Sequence, residues 1–434
     1  MRTIGIDIGT TSISAAVVRV EDRTIEKAYT IENGSFQDTR YIWEKQQNPE
    51  IIISKAKGLL DEIMEEYDDI QSIGLTGQMH GIVYVNAEGR HISPLYTWQD
   101  GSGSQPCSGE SSVCDILEEK YNVKTYSGFG LVTYLYQNKM NTVPRDAAHF
   151  CNIMDYLGMI LTERKVPLMH QSNAAGLGIY DVQNNCFITQ VIENMGGDVS
   201  LLPEVTEELQ IQGYYHNIPV YVALGDNQAS FLGSVKDMSD AILVNMGTGG
   251  QISVWTDSYY KVDGVETRPF LKDSYLLVGA SLCGGRAYAM LKGFFQMYGD
   301  ALGVKDINHY EIMAKFLEED YDADTASLMV NTCFCGTREA PEKRGSIENI
   351  GIDNFTPAAF TRGVLEGMAG ELSDMYQQIE KKTGIKRSKM TASGNGLRLN
   401  QYLQKCMCSK FHMSLELAEH KEEAAYGAAI TGIL

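Results

Sequence analysis

Residues 1–20 carry an alternation that few local structures satisfy. Ile4, Ile6 and Ile8 occupy every second position, Gly9-Thr10-Thr11 interrupts them, and a second β-branched run extends from Ser12 to Val20. Period-two apolar spacing on both sides of a short polar, glycine-containing turn predicts a β-hairpin. The same pattern returns near the middle of the chain. There Val244-Asn245-Met246-Gly247-Thr248-Gly249-Gly250 lies between Ala241-Ile242-Leu243 and Ile252-Ser253-Val254-Trp255. Asp7, Gly9 and Thr10 align with Asn245, Gly247 and Thr248. A turn repeated in the same strand-turn-strand setting points to two related domains, and 434 residues are enough for two or three.

Between the hairpins, helical and strand patterns alternate, as in α/β layers. Pro49 to Tyr67 reads as an amphipathic helix, Ser72–Leu75 and Gly81–Val85 as strands, and Val220–Leu224 as a strand ending at Gly225-Asp226. Pro357–Lys382 reads as a long helix, Met390–Ala392 as a short strand and Leu397–Cys408 as another helix. Glu422–Leu434 is apolar enough to be a buried final helix, and Gly101–Ser112 reads as a loop.

Charge and cysteine usage narrow the partners. A net charge of −20 repels phosphate backbones and anionic lipid, so neither nucleic acid nor a membrane is an expected partner. Nine cysteines, an odd number without zinc-type spacing, read as reduced thiols. With no secretory leader and no membrane-length apolar run, the expected location is the cytoplasm.

Three glycine turns and one carboxylate carry the chemistry. Asp7-Ile8-Gly9-Thr10-Thr11-Ser12 offers a carboxylate at a strand end and backbone N–H groups able to cradle phosphate oxygens. Alone, that string is equally a hairpin whose Asp and Thr satisfy local donors; the second copy at 245–250 favours two turns gripping one polyphosphate. Ser393-Gly394-Asn395-Gly396 opens a helix carrying Asn400, a setting suited to a nucleotide although weak by itself. Neither a Walker A motif nor a dinucleotide fingerprint is present. Asp226 ends an apolar strand at a helix start, where it is either an N-cap or a base able to take a proton from a hydroxyl. Gln78-Met79-His80, Trp98-Gln99-Asp100 and Gln171-Ser172-Asn173 group amide, imidazole and carboxylate side chains of the kind a polyhydroxylated sugar requires. Each also reads as ordinary core or turn capping.

Taken in order, these motifs resemble the FGGY carbohydrate kinases of the actin-like ATPase superfamily, essentially end to end. Gly77-Gln-Met-His-Gly81, Thr97-Trp-Gln-Asp-Gly101, Gly128-Phe-Gly130, Gln171-Ser-Asn-Ala-Ala175 and Ala223-Leu-Gly-Asp-Asn-Gln-Ala-Ser230 are most similar to sedoheptulokinases, and next to xylulokinases. The resemblance implies an α/β fold of two related ribonuclease H-like domains with a central interdomain cleft, residues 1–221 holding the sugar and residues 222–434 the nucleotide, the last helix packing back on the first. It implies an ATP-dependent kinase acting on a ketose, with ATP, Mg²⁺ and a sugar as its ligands. Asp226 would be the general base and Asp7 would organise Mg²⁺. Gly9, Thr10, Thr11 and Ser12, with Gly247, Thr248 and Gly249, would hold the phosphates, while Gly394, Asn395 and Asn400 border the adenosine. Gln78, Met79, His80, Asp100, Asn173 and Asn227 would line the sugar pocket. Assembly stays open, a homodimer among the options. Two departures concern substrate choice: Ser102 stands where the family often has Arg, and the chain is short for the family. A non-kinase actin-like ATPase or a filament-forming or regulatory role are the competing classes, and the amide-rich loops argue against them.

Overall fold

The computed structural model describes residues 1–318, 328–337, 340 and 342–434, and the chain forms two compact units. In the first, the predicted hairpin is β1 (Arg2–Ile8) and β2 (Ser12–Arg19), antiparallel from Arg2↔Arg19 to Ile8↔Ile13. β3 (Ile25–Glu32) continues the meander, and β4 (Ile70–Gly77) runs parallel to β1. α1 (Pro49–Glu66) connects β3 and β4. Asn48 caps it by accepting from the N–H groups of Glu50 (2.9 Å) and Ile51 (3.4 Å), Pro49 sits where no helical N–H is needed, and Ile52, Ala56, Leu60 and Ile63 turn inward. β5 (Ile211–Tyr215), β6 (Ile218–Tyr221) and β7 (Leu224–Gly225) complete a seven-stranded sheet in the order β5-β6-β4-β1-β2-β3, with β7 also on β4. The strand expected over 220–224 is thus two pieces. Because β7 pairs with Thr76–Gly77, the first unit runs past the expected 221/222 boundary, through most of α2 (Asp226–Ser234), to Gly233. The stretch 101–112, expected as plain loop, holds a 3-10 turn (Ser102–Ser104) and a small hairpin, Pro106–Ser108 with Ser111–Ser112.

The second unit repeats the plan. β8 (Ala241–Met246) and β9 (Gly250–Thr256) form the second hairpin. With β10 (Glu266–Pro269, from Arg268 on part of the first unit), β11 (Tyr275–Ser281), β12 (Lys389–Ser393) and β13 (Ser414–Leu417) they build a six-stranded sheet ordered β10-β11-β9-β8-β12-β13. β8 is antiparallel to β9 and parallel to β12, as β1 is to β2 and β4. Asp7 stands opposite Ser14 and Thr76, and Asn245 opposite Gln251 and Ser393, so the repeat read in the sequence extends to strand pairing. α3 (Gly284–Ala301) follows β11, and α4 (Pro357–Thr383) buries Val364, Leu365, Met368, Leu372 and Tyr376 in the same core as Ile242, Val244 and Ile252. The helix expected over 397–408 is broken. α5 (Asn395–Arg398) ends before Asn400, whose side chain starts α6 (Gln401–Phe411) as its N-cap.

The closing helix α7 (Glu423–Ile430) belongs to the first unit. It packs against the sheet face opposite Ile4, Ile6 and Ile8, since Gly5 alternates with them along β1. A Cβ on Gly5 would lie 1.9 Å from the Ala425 carbonyl oxygen, and one on Gly74 would lie 1.8 Å from that of Ala428. Only glycine lets the helix backbone approach this closely.

Candidate active site

In the first unit, β1 ends by presenting Asp7, and the following turn is tied down through its backbone. Asn33 Nδ2 donates to the Gly9 carbonyl (2.8 Å) and Gln47 Nε2 to that of Thr10 (2.9 Å). Gln47 Oε1 accepts from Gln78 Nε2 (2.8 Å), and Thr10 Oγ1 accepts from the indole Nε1 of Trp98 (2.9 Å). Gln78, Thr10 and Trp98 thus form one network with the turn, while Thr11 stays exposed. Asn33 and Gln47 lie in no motif, and sequence reasoning missed both.

Asp226 is the first residue of α2. Its Oδ1 accepts from the Asn227 N–H at 2.6 Å, and burial raises its carboxyl above the ordinary range while the Arg268 guanidinium and that N–H oppose the rise. Asp7 is raised further, to about 7, first by burial and then by the carboxylates of Asp226 and Glu422. Arg268 Nη1 reaches Asn227 Oδ1 at 3.5 Å. Arg268 and Glu422 were absent from the sequence reading because nothing local marks them.

The amide-rich string 171–173 does something other than expected. Asn173 is fully buried, and its Nδ2 donates to the Ala223 carbonyl at 2.8 Å. Ser172 Oγ accepts from the Gly225 N–H at 3.1 Å and donates to Nδ1 of the buried His170 at 2.8 Å. Gln171 Nε2 points to the Leu271 carbonyl (3.5 Å). Ser172 and Asn173 thus hold residues 223 and 225, in the segment that delivers Asp226. Asn173, expected to line the sugar pocket, thus already engages its amide nitrogen with the backbone.

Three other sugar-pocket candidates also have internal partners. Met79 is buried against Gly176 and Gly225. His80 has a left-handed backbone (φ 76°), its Nδ1 lies 2.6 Å from the Gly176 carbonyl, and its ring stacks on Phe129 with centroids 4.4 Å apart. Asp100 is buried; Oδ1 accepts from the Ser102 N–H (3.0 Å) and hydroxyl, and Oδ2 from the Lys45 N–H (3.1 Å). Burial still raises its carboxyl. Ser102, standing where the family often has arginine, engages this carboxylate through both its N–H and its hydroxyl.

In the second unit, Gly247 and Thr248 are exposed at the tip of the hairpin. The start of α3 holds the turn, as Gly285 N–H donates to the Gly247 carbonyl (2.9 Å) and Arg286 N–H to that of Thr248 (3.1 Å). Gly284 admits this contact, since a Cβ there would lie 2.3 Å from the Gly249 carbonyl carbon. Asn245 Nδ2 donates to Ser393 Oγ (2.9 Å), and Gly394, at φ 81°, packs against the Met246 carbonyl. Asn395 is exposed at the next helix start. Asn400 Oδ1 accepts from the Leu403 N–H (2.9 Å), so that oxygen is already engaged as a cap.

Comparison with known proteins agrees with this geometry. The N-terminal domain of the FGGY family of carbohydrate kinases matches residues 2–233, and its C-terminal domain matches residues 242–434. The chain belongs to the FGGY family. It is an ATP-dependent sugar kinase. It is 26% identical to human sedoheptulokinase, covering 99% of this chain and 96% of that protein. It is also 26% identical to the xylulose kinase of Staphylococcus xylosus, over 98% and 89%. The solved xylulose kinase from Rhodospirillum rubrum superposes with a TM-score of 0.85, covering 100% of this chain and 89% of that one at 18% identity. Among the described residues, no helix is long and apolar enough to cross a membrane, and no group of three or more His, Cys, Asp or Glu could hold a metal ion.

Proposed function

We propose that this kinase transfers the γ-phosphate of ATP to a primary hydroxyl of a ketose, with sedoheptulose as the preferred acceptor and sedoheptulose 7-phosphate as product. The observation that carries the reading is Asp226, a partly exposed carboxylate at a helix start whose strand is braced from below by Ser172 and Asn173. Asp226 accepts the hydroxyl proton as the oxygen attacks the γ-phosphorus, and the bond to the β-phosphate oxygen breaks to release ADP. Asn227, fixed beside it through Arg268, orients the acceptor, with Gln78 and His80 framing the pocket.

The turns at 9–12 and 247–249 bind the phosphates through backbone N–H groups and the hydroxyls of Thr10, Thr11, Ser12 and Thr248, and Gly394 and Asn395 border the adenosine. The residues around Asp7 fit a divalent cation: its charged neighbours Asp226 and Glu422 are both carboxylates, and Mg²⁺ takes one or two carboxylates with phosphate oxygens and water. Bound there, Mg²⁺ would neutralise charge on the phosphates. The acidic net charge is consistent with a small uncharged acceptor and with a cytoplasmic enzyme.

An ADP-release assay with Mg-ATP against sedoheptulose, xylulose, ribulose, fructose and glycerol, beside Asp226→Asn, tests the reading. Turnover with sedoheptulose that the variant loses supports it. Preference for xylulose, the acceptor named in the Staphylococcus relative, moves the assignment to a pentulose kinase. Hydrolysis of ATP without any sugar refutes it.

A further inference from the structure

Two buried polar side chains at the start of the helix Ile153–Thr162, Asn152 and Asp155, have no part in the chemistry described above. The strand His149–Cys151 pairs antiparallel with Val83–Val85, Cys151 opposite Val83, and so delivers Asn152 beside the end of the 78–81 loop. Asn152 is the N-cap of the helix, where an asparagine side chain ordinarily accepts from the first helical N–H groups. Here it makes no such bond. Its Nδ2 donates instead to the Gly81 carbonyl at 2.5 Å. That carbonyl follows His80, whose left-handed backbone (φ 76°) persists only where its neighbours hold it. Asp155 faces a second segment. Its Oδ1 accepts from Asn173 Nδ2 at 3.5 Å, and the same nitrogen donates to the Ala223 carbonyl at 2.8 Å, one amide hydrogen for each. Asp155 thereby orients the amide that holds residue 223, three positions before Asp226. Burial keeps its carboxyl well above the ordinary carboxylate range, which favours the neutral acid and makes asparagine its close substitute.

We propose that the first turn of this helix positions the acceptor side of the site: Asn152 sets the 78–81 loop through the Gly81 carbonyl, and Asp155 sets the 223–226 segment through Asn173. Because both act from one turn of one helix, they fix the spacing between the residues that frame the acceptor and the base that takes its proton. The kinetic consequences rest on the reading of Asp226 as that base and of Gln78 and His80 as the frame. Neither Asn152 nor Asp155 is itself an acceptor contact in this scheme; each is a positioning residue. A buried helix holds such spacing better than a loop does, and a misplacement of about 1 Å can cost about 10²-fold in rate. A helix start serving stability alone keeps its asparagine as a cap. Here that amide is committed to a neighbouring loop.

Hydrogen-exchange mass spectrometry and steady-state kinetics on the whole protein test this. Asp155→Leu, of similar volume, should speed amide exchange in peptides covering 223–227 and leave those covering 78–82 unchanged, and Asn152→Ala should do the reverse. With Mg-ATP and sedoheptulose, or xylulose where that is the better acceptor, Asp155→Leu should lower kcat about tenfold at unchanged acceptor KM, and Asp155→Asn should stay near wild type. Asn152→Ala should raise the acceptor KM about tenfold with kcat little changed, the sign of lost acceptor binding. In an Asn173→Ala background, Asp155→Leu should cause no further loss of kcat, since it acts through that amide. Should Asp155→Leu fail to fold, Asp155→Ser takes its place in each arm. Exchange that is unchanged or raised equally in both segments, a loss as large in Asp155→Asn as in Asp155→Leu, or losses that multiply in the double variant overturn the proposal. Exchange needs no turnover, so it decides the positioning even where Asp226→Asn shows that the base lies elsewhere.

Discussion

His170 couples pH to the strand that carries Asp226. The ring is fully buried, and two groups of Ser172 donate to its Nδ1, the hydroxyl at 2.8 Å and the N–H at 3.2 Å. Nδ1 is therefore unprotonated, and Nε2–H faces the Glu207 carbonyl at 3.3 Å. Burial lowers the imidazole from 6.5 to about 4. Above pH 6.5 the ring is neutral in both folded and unfolded chains and costs nothing. As pH falls below 6.5 the unfolded chain takes up a proton that the folded chain refuses, so stability is lost through the window from 6.5 to 4. At about 1.36 kcal/mol per unit, the loss is about 2 kcal/mol at pH 5 and about 3 kcal/mol at pH 4. The raised carboxyls of Asp7 and Asp226 act in the opposite direction over this range, so the comparison must isolate the imidazole. His170→Gln keeps an acceptor for Ser172 and cannot titrate. Urea unfolding of wild type and variant at pH 7 and pH 5 should show the wild type losing about 2 kcal/mol more than His170→Gln. Parallel losses would refute the burial argument.

Three further outcomes are expected. Asp226→Asn should lower kcat by about 10² to 10⁴ while ATP affinity in equilibrium dialysis stays near that of wild type, the signature of a lost general base. Gly74→Ala should destabilise by about 1–3 kcal/mol, because its new methyl meets the Ala428 carbonyl; Gly58→Ala, exposed in α1 with nothing within 4 Å, should stabilise by about 0.5–1 kcal/mol. Denaturant midpoints giving the same sign at both sites would contradict the packing of α7. Ser102→Ala should cost about 1.5–3 kcal/mol in thermal unfolding, since it removes a hydroxyl from the buried Asp100 carboxylate, and an unchanged midpoint would show that bond to be idle.

What the sequence made legible was what depends on short range. Both hairpins follow from period-two alternation around Gly-Thr turns, and α1 and α4 from apolar periodicity behind Asn48-Pro49 and Thr356-Pro357. What it hid depends on partners distant along the chain. An amide such as Asn173 is the same residue whether it donates to a sugar hydroxyl or to the Ala223 carbonyl, and only the fold reveals which is within reach. Asn400 interrupted an apolar run without changing its periodicity, so one helix was expected where a cap divides two. Arg268 reaches Asn227 from a different sheet segment, and no pattern in either stretch announces the contact.

The two hairpins also show how a duplicated scaffold becomes asymmetric. Asp7 and Asn245 share one register position, each next to last in its strand and opposite a hydroxyl residue on the parallel neighbour. In the second copy the amide is satisfied at once, by donating to Ser393 Oγ at 2.9 Å. In the first, the carboxyl is raised to about 7, first by burial and then by the nearby carboxylates of Asp226 and Glu422. Without a counter-charge such a group is destabilising wherever it is ionised. A cation arriving with the nucleotide, as proposed above, would supply that counter-charge. A single side-chain difference, Asp7 against Asn245, thus leaves the charged group in the unit that also carries Asp226.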